Sequence, residues 1–162
     1  MNQRISVLLL AVLLSSMSSF SSAQEAKNLF SLSGVSGGLV LELGAAADGE
    51  LTAALHREGD FVVYALTDQP GNAEKARQVL KSKGVYGPVS VEVFEGSQLP
   101  LVDNLINLVV VHEDLGISEK EIDRVLCPRG VALFREGDTW KKTVKDVPED
   151  IDDWTHFFHG AD

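Results

Sequence analysis

From Leu39 onward, apolar positions switch between two spacings, and the switching marks out a series of elements. Residues 39–43 form a short apolar run interrupted only by Glu42, which predicts a strand. Leu51, Ala54 and Leu55 then recur at helical spacing within 49–57. A second strand is expected over 61–66, followed by a helix over 73–81 with Ala73, Ala76 and Leu80 in register. Val89, Val91 and Val93 alternate through a third strand, 89–94. Residues 106–111 are apolar except for Asn107, as expected of a central strand covered on both faces. Ser118 stands three residues before Glu121, a capping-box signature for a helix with Ile122, Val125 and Leu126 on its apolar side and Pro128 as its stop. A further strand follows over 131–134, and 139–144 reads as an extra edge strand.

Strands that alternate with helical segments imply right-handed crossovers and a mostly parallel sheet, so the fold class is α/β. The flanks read differently. Arg4, an apolar stretch from Ile5 to Leu14 and the small residues Ser21, Ser22 and Ala23 make residues 1–23 a signal peptide, and so an exported (periplasmic or secreted) chain; an uncleaved anchor is the alternative. That apolar stretch is shorter than the roughly 18–20 residues a membrane span needs. Residues 24–36, polar and rich in Ser and Gly, read as a linker to a domain at 37–145. Residues 146–162 form an acidic and aromatic tail with Trp154, Phe157 and Phe158, which either docks on the domain or leads into another.

The formal charge of the chain is −10, and removal of Arg4 with the leader makes it one unit more negative. Such a balance disfavours nucleic acid and anionic membrane as partners. Cys127 is the only cysteine, so no internal disulfide forms, and no Cys/His grouping has zinc spacing. His156 and His159 share a helical face, but two histidines do not make a metal site.

Four segments, in this order and spacing, resemble the class I S-adenosylmethionine-dependent methyltransferases of the small type 11 kind: Val40-Leu41-Glu42-Leu43-Gly44, then Asn72 to Arg77, Leu99 to Val110, and Glu121 to Gly130. The resemblance implies a Rossmann-like sheet of order 3-2-1-4-5 with helices on both faces, truncated relative to the family's seven strands. It also implies S-adenosylmethionine as cofactor and methyl transfer to a small acceptor. The cofactor-binding positions it carries over are Glu42, Gly44, Ala46 and Gly49 around the first turn, Thr67 and Asp68 at the ribose, and Glu95 on the adenine side. His112 joins them at the carboxyl edge of the sheet, where ligands of such folds bind, and reads either as a general base or as a surface loop residue.

The chain departs from that pattern in four places. The turn Gly44-Ala45-Ala46-Ala47-Asp48-Gly49 lacks the middle glycine and is one residue longer. Thr67 stands where the ribose acid is expected, with Asp68 one step beyond. Asn107 stands where the family often has Asp, and Arg129 where the first glycine of a Pro-Gly-Gly turn falls. Export would also separate the domain from a donor made and kept in the cytosol. A looser resemblance, through Asp153-Trp154-Thr155-His156, is to exported bacterial proteins in which a degenerate domain of this kind precedes a quinoprotein-type β-propeller. Two functions therefore stand side by side: a methyltransferase, active or degenerate, and a non-catalytic exported docking module of a larger protein.

Overall fold

A computed structural model describes residues 21–147. Six strands form one sheet in the order β3-β2-β1-β4-β5-β6. They are β1 (Gly37–Leu43), β2 (Asp60–Thr67), β3 (Val89–Val93), β4 (Ile106–Val111), β5 (Leu126–Glu136) and β6 (Thr139–Val144). The first five pair in parallel, and β6 returns antiparallel on β5 as the expected edge strand. The helices are α1 (residues 21–33), α2 (Glu50–Arg57), α3 (Pro70–Ser82) and α4 (Glu119–Val125). This is the expected α/β sheet, in the strand order that the resemblance implied, with the extra edge strand added.

Period-2 alternation sorts the strand residues between two cores. On one face, Val40, Val63, Leu108 and Val110 pack with Leu29 of α1, Leu55 of α2 and Leu80 of α3. On the other, Leu41, Leu43, Leu66 and Val109 pack with Ile122 and Val125 of α4. The central strands β1 and β4 are therefore buried from both sides, as the apolar run of 108–111 demands.

Two sequence expectations are corrected. Residues 24–36 are not a linker: the chain is helical through residue 33, with Ala26 and Leu29 fully buried and Phe30 stacked on Phe61 at 4.5 Å between ring centroids. The spacing of Ala26, Leu29 and Phe30 is helical, and it outweighs the Ser and Gly content that suggested a linker. Lys142 on β6 donates to the carbonyls of Leu32 and Ser33, satisfying the last turn of α1. Nor does Pro128 stop the fourth helix. That helix ends at Val125, and Pro128 lies within β5 beside a register shift against β4. Bulged or irregular pairing is where a strand tolerates proline.

Ser118 caps α4 as expected, its hydroxyl accepting from the Glu121 amide at 3.2 Å. The Glu121 carboxylate goes elsewhere, accepting from the Leu99 amide and from Arg124. Arg124 in turn donates to the carbonyls of Leu99 and Leu101. The helix-free connection from β3 to β4 is fastened to α4 by this network. Residues 1–20 and 148–162, including most of the proposed leader and the tail aromatics, lie outside the described residues.

Asn107 and Arg129, two of the departures from the family pattern, have structural duties. The Asn107 side-chain oxygen accepts from the Leu39 amide at 2.9 Å and fills the space beside Gly38, where a Cβ would sit 2.1 Å from it. Arg129 adopts a left-handed φ of 66°, the conformation a glycine would take there at no steric cost. Asn107→Ala removes the acceptor for the Leu39 amide, and should cost about 1–3 kcal/mol. The check is a urea titration in which the midpoint falls and the slope stays unchanged.

Candidate functional site

The carboxyl ends of β1, β4 and β5 open onto a cavity of about 250 Å³, roofed by the start of α1. Its lining includes Glu25, Glu42, Asp48, His112, Glu113 and Arg135. Strand alternation explains its innermost pair. Glu42 follows Val40 on the α1 and α2 face and pairs in register with Val110; His112, two residues beyond Val110, points to that same face. Their side chains meet with His112 Nε2 at 4.0 Å from Glu42 Oε1.

Both groups are out of water. Glu42 is 1% exposed, and neither its Oε2 nor His112 Nε2 has a hydrogen-bond partner among the described residues. Burial pushes the Glu42 carboxyl up to about 7; Glu25 and Asp48 add to the rise, while a hydrogen bond with Thr52 opposes it. Burial, aided by the charge of Arg135, pushes the His112 imidazole down to about 4. The Trp140 ring meets His112 edge-on, with 5.1 Å between centroids. Two buried polar atoms left unpaired in one corner ask for a hydrogen-bonding group brought by a ligand.

The sequence-derived site residues divide into two groups. Glu42, Gly44, Ala46 and His112 line the cavity. Gly49, Thr67, Asp68 and Glu95 do not. Gly49 caps α2 with a left-handed φ of 57° and lies against Ala76 of α3, where a Cβ would stand 3.5 Å from that residue. Thr67 is buried at the end of β2, its hydroxyl accepting from the Gln69 amide. Asp68 and Glu95 are exposed, further along the same carboxyl edge. Cys127, read as a small buried residue, is half-buried and its sulfur accepts from the Asn107 amide group.

The first turn is neither open nor closed by its alanines. The Gly44 and Ala45 amides both donate to the Leu66 carbonyl, and the Ala45 methyl turns into the core. Ala46 remains exposed at the cavity. The space in front of Gly44 is taken by Glu113, whose backbone nitrogen would lie 2.7 Å from a Cβ added there. Gly44 is thus required by the chain's own β4 loop. Sequence reasoning missed Thr52, Arg135 and Glu25, which line the cavity, and Trp140, which packs on His112, because each comes from an element whose approach only the folded sheet fixes.

No family model and no curated protein matches the chain. Solved structures do match. A candidate S-adenosyl-L-methionine-dependent methyltransferase of Methanococcus maripaludis is 22% identical, with a TM-score of 0.59 over 69% of this chain and 53% of that one. Geranyl diphosphate C-methyltransferase of Streptomyces coelicolor, solved with S-adenosyl-L-homocysteine, is 18% identical, with a TM-score of 0.59 over 68% and 44%. The [4+2]-cyclase SpnF is 20% identical, with a TM-score of 0.61 over 71% and 46%. The chain spans about half the length of each. The fold is the Rossmann-like fold of the class I methyltransferases in truncated form, and at these identities the likeness is one of fold.

The two shifted groups make a prediction about stability. The pKa of Glu42 is raised on folding, so its contribution is full below pH 4.5 and is lost as pH rises through about 7. The pKa of His112 is depressed, so its contribution is full above pH 6.5 and is lost as pH falls through about 4. In the native protein the two slopes oppose each other. Glu42→Gln should therefore leave stability rising from pH 4 to 6.5, and His112→Gln should leave it falling from pH 4.5 to 7. Each change is on the order of 3 kcal/mol across its window. Denaturant midpoints measured at successive pH values test this, and flat profiles in both variants would refute it.

Proposed function

We propose that this chain is an S-adenosylmethionine-binding, methyltransferase-like domain acting on a small acceptor. The observation that carries the reading is the buried, unsatisfied Glu42–His112 corner at the carboxyl ends of β1 and β4. Four carboxylates (Glu25, Glu42, Asp48 and Glu113) and the guanidinium of Arg135 border one cavity. That preponderance of acids suits the ammonium of the cofactor's amino-acid end, turned toward Glu42. At about 250 Å³ the cavity is smaller than the roughly 300–1,000 Å³ of sites that enclose a whole ligand. The adenosine part would then extend along the open edge toward Thr67, Asp68 and Glu95, with Ala46 beside the methionine part. His112, neutral at pH 7, can accept a proton there, and methyl transfer asks for little more than alignment of donor and acceptor.

A second reading, a non-catalytic exported module of a larger protein carrying a β-propeller, is favoured by one feature. Glu113 occupies the space that Gly44 would otherwise offer to a ligand. Calorimetry with S-adenosylmethionine separates the two. The first reading expects micromolar binding, weakened about tenfold or more in Glu42→Gln through loss of a charge-assisted hydrogen bond. Absence of heat at millimolar ligand leaves the docking module.

A further inference from the structure

A second cavity, of about 210 Å³, opens at the same carboxyl edge but belongs to the opposite face of the sheet. Its apolar lining comes from Leu43, Val111 and Phe134 of the strands, Leu115 and Ile117 of the β4–α4 loop, and Ile122 of α4. Val111, Leu115 and Phe134 remain partly exposed although each packs against the core of that face. Apolar side chains left half-covered around a hollow are what a ligand's apolar body would complete.

The polar border of this cavity is lopsided in its partners. Asp114 accepts from the Gly116 amide at 2.8 Å, and Glu119 pairs with Lys141 at 3.2 Å. Lys141 also stands 5.5 Å from the centre of the Phe134 ring, which brings a cation to the cavity wall. Arg135 borders both cavities and enters no ion pair among the described residues, donating from Nε to the Gly137 carbonyl. Glu119 is paired with Lys141 and the Arg135 guanidinium has no ion-pair partner among the described residues, so the border offers one cation to an anionic group. As to size, an engineered apolar cavity of about 150 Å³ holds benzene. The volume here takes a body of that kind with a carboxylate at its mouth.

We propose that the second cavity binds a small carboxylic acid with a benzene-sized or branched apolar body, its carboxylate held at Arg135. Resting on the methyltransferase reading, this acid would be the methyl acceptor: a carboxylate oxygen would bond the methyl carbon as the donor's carbon–sulfur bond breaks, giving a neutral ester and a neutral thioether, across the His112 and Arg135 wall that the two cavities share. Binding of the acid does not itself require the methyl donor.

Benzoate, with benzamide as its uncharged counterpart, tests the proposal on the full chain by ligand-observed NMR titration. Benzoate should bind about tenfold tighter than benzamide, the difference made by one charge-assisted contact. Arg135→Gln, at an exposed position, should abolish that preference and leave benzamide binding unchanged. Leu115→Trp, on a half-buried loop residue, should fill the cavity and weaken both probes. Equal binding of the two probes, no binding at millimolar concentration, or indifference to Leu115→Trp each overturns the proposal. If benzoate binds as described and S-adenosylmethionine does not, the acid site stands and the acceptor role falls with the methyltransferase reading.

Discussion

Glu42 is carried to the inside of the domain by the pleat of β1, and the chemistry of the carboxyl edge is arranged around that placement. A strand entering the sheet with Val40 and Leu41 on opposite faces must put the next residue after Leu41 back on the side of α1 and α2. That residue is an acid, in a position where an apolar side chain would pack without cost. Transfer of an ionised carboxylate into such surroundings is costly, and the carboxyl responds by holding its proton to near neutrality. The same pleat in β4 sets His112 beside it, and the imidazole responds by shedding its proton. Neither group helps the other enough to offset desolvation, and so a buried polar pair without mutual hydrogen bonding persists where a ligand-free scaffold would have favoured leucine.

Much of the fold was legible because long apolar runs and period-2 alternation are dictated by burial alone. Residues 106–111 left no other assignment, and Ser118 marked the start of α4 through a local hydrogen bond. The linker reading failed because composition was weighed above periodicity: the apolar stripe of α1 is only Ala26, Leu29 and Phe30, set among serines. The end of α4 was misplaced because Leu126 fits a helical stripe and a buried strand equally well. For the site, sequence could name strand ends but not the distance between them. The ends of β3 and β4 are separated by two further strands, and neighbouring strands lie about 4.7–4.9 Å apart. Glu95 and His112 therefore cannot share the small first cavity, although both belong to one edge.

The comparison with solved structures sharpens what the fold alone means. Proteins of this architecture include methyltransferases and a [4+2]-cyclase, so shared architecture does not select a reaction. The side chains do the selecting, and here they differ from the family pattern at the turn itself. Gly44 keeps its positive φ of 84°, yet the room it makes is used by the backbone at Glu113. A glycine can outlast its original purpose when a neighbouring loop comes to depend on the same missing side chain.

The grip of Lys142 on the last carbonyls of α1 joins residues 110 positions apart in the chain. During synthesis the carbonyls of Leu32 and Ser33 emerge long before Lys142, and this donor reaches them only when nearly all of the domain has been made. Capping of this helix end is thus coupled to pairing of β6 at the sheet's antiparallel edge. Contacts of such range slow folding, because loop-closure entropy is spent before they form. A chain lacking Lys142 would leave the Leu32 and Ser33 carbonyls without this donor, at the helix end farthest from the cavity that α1 roofs.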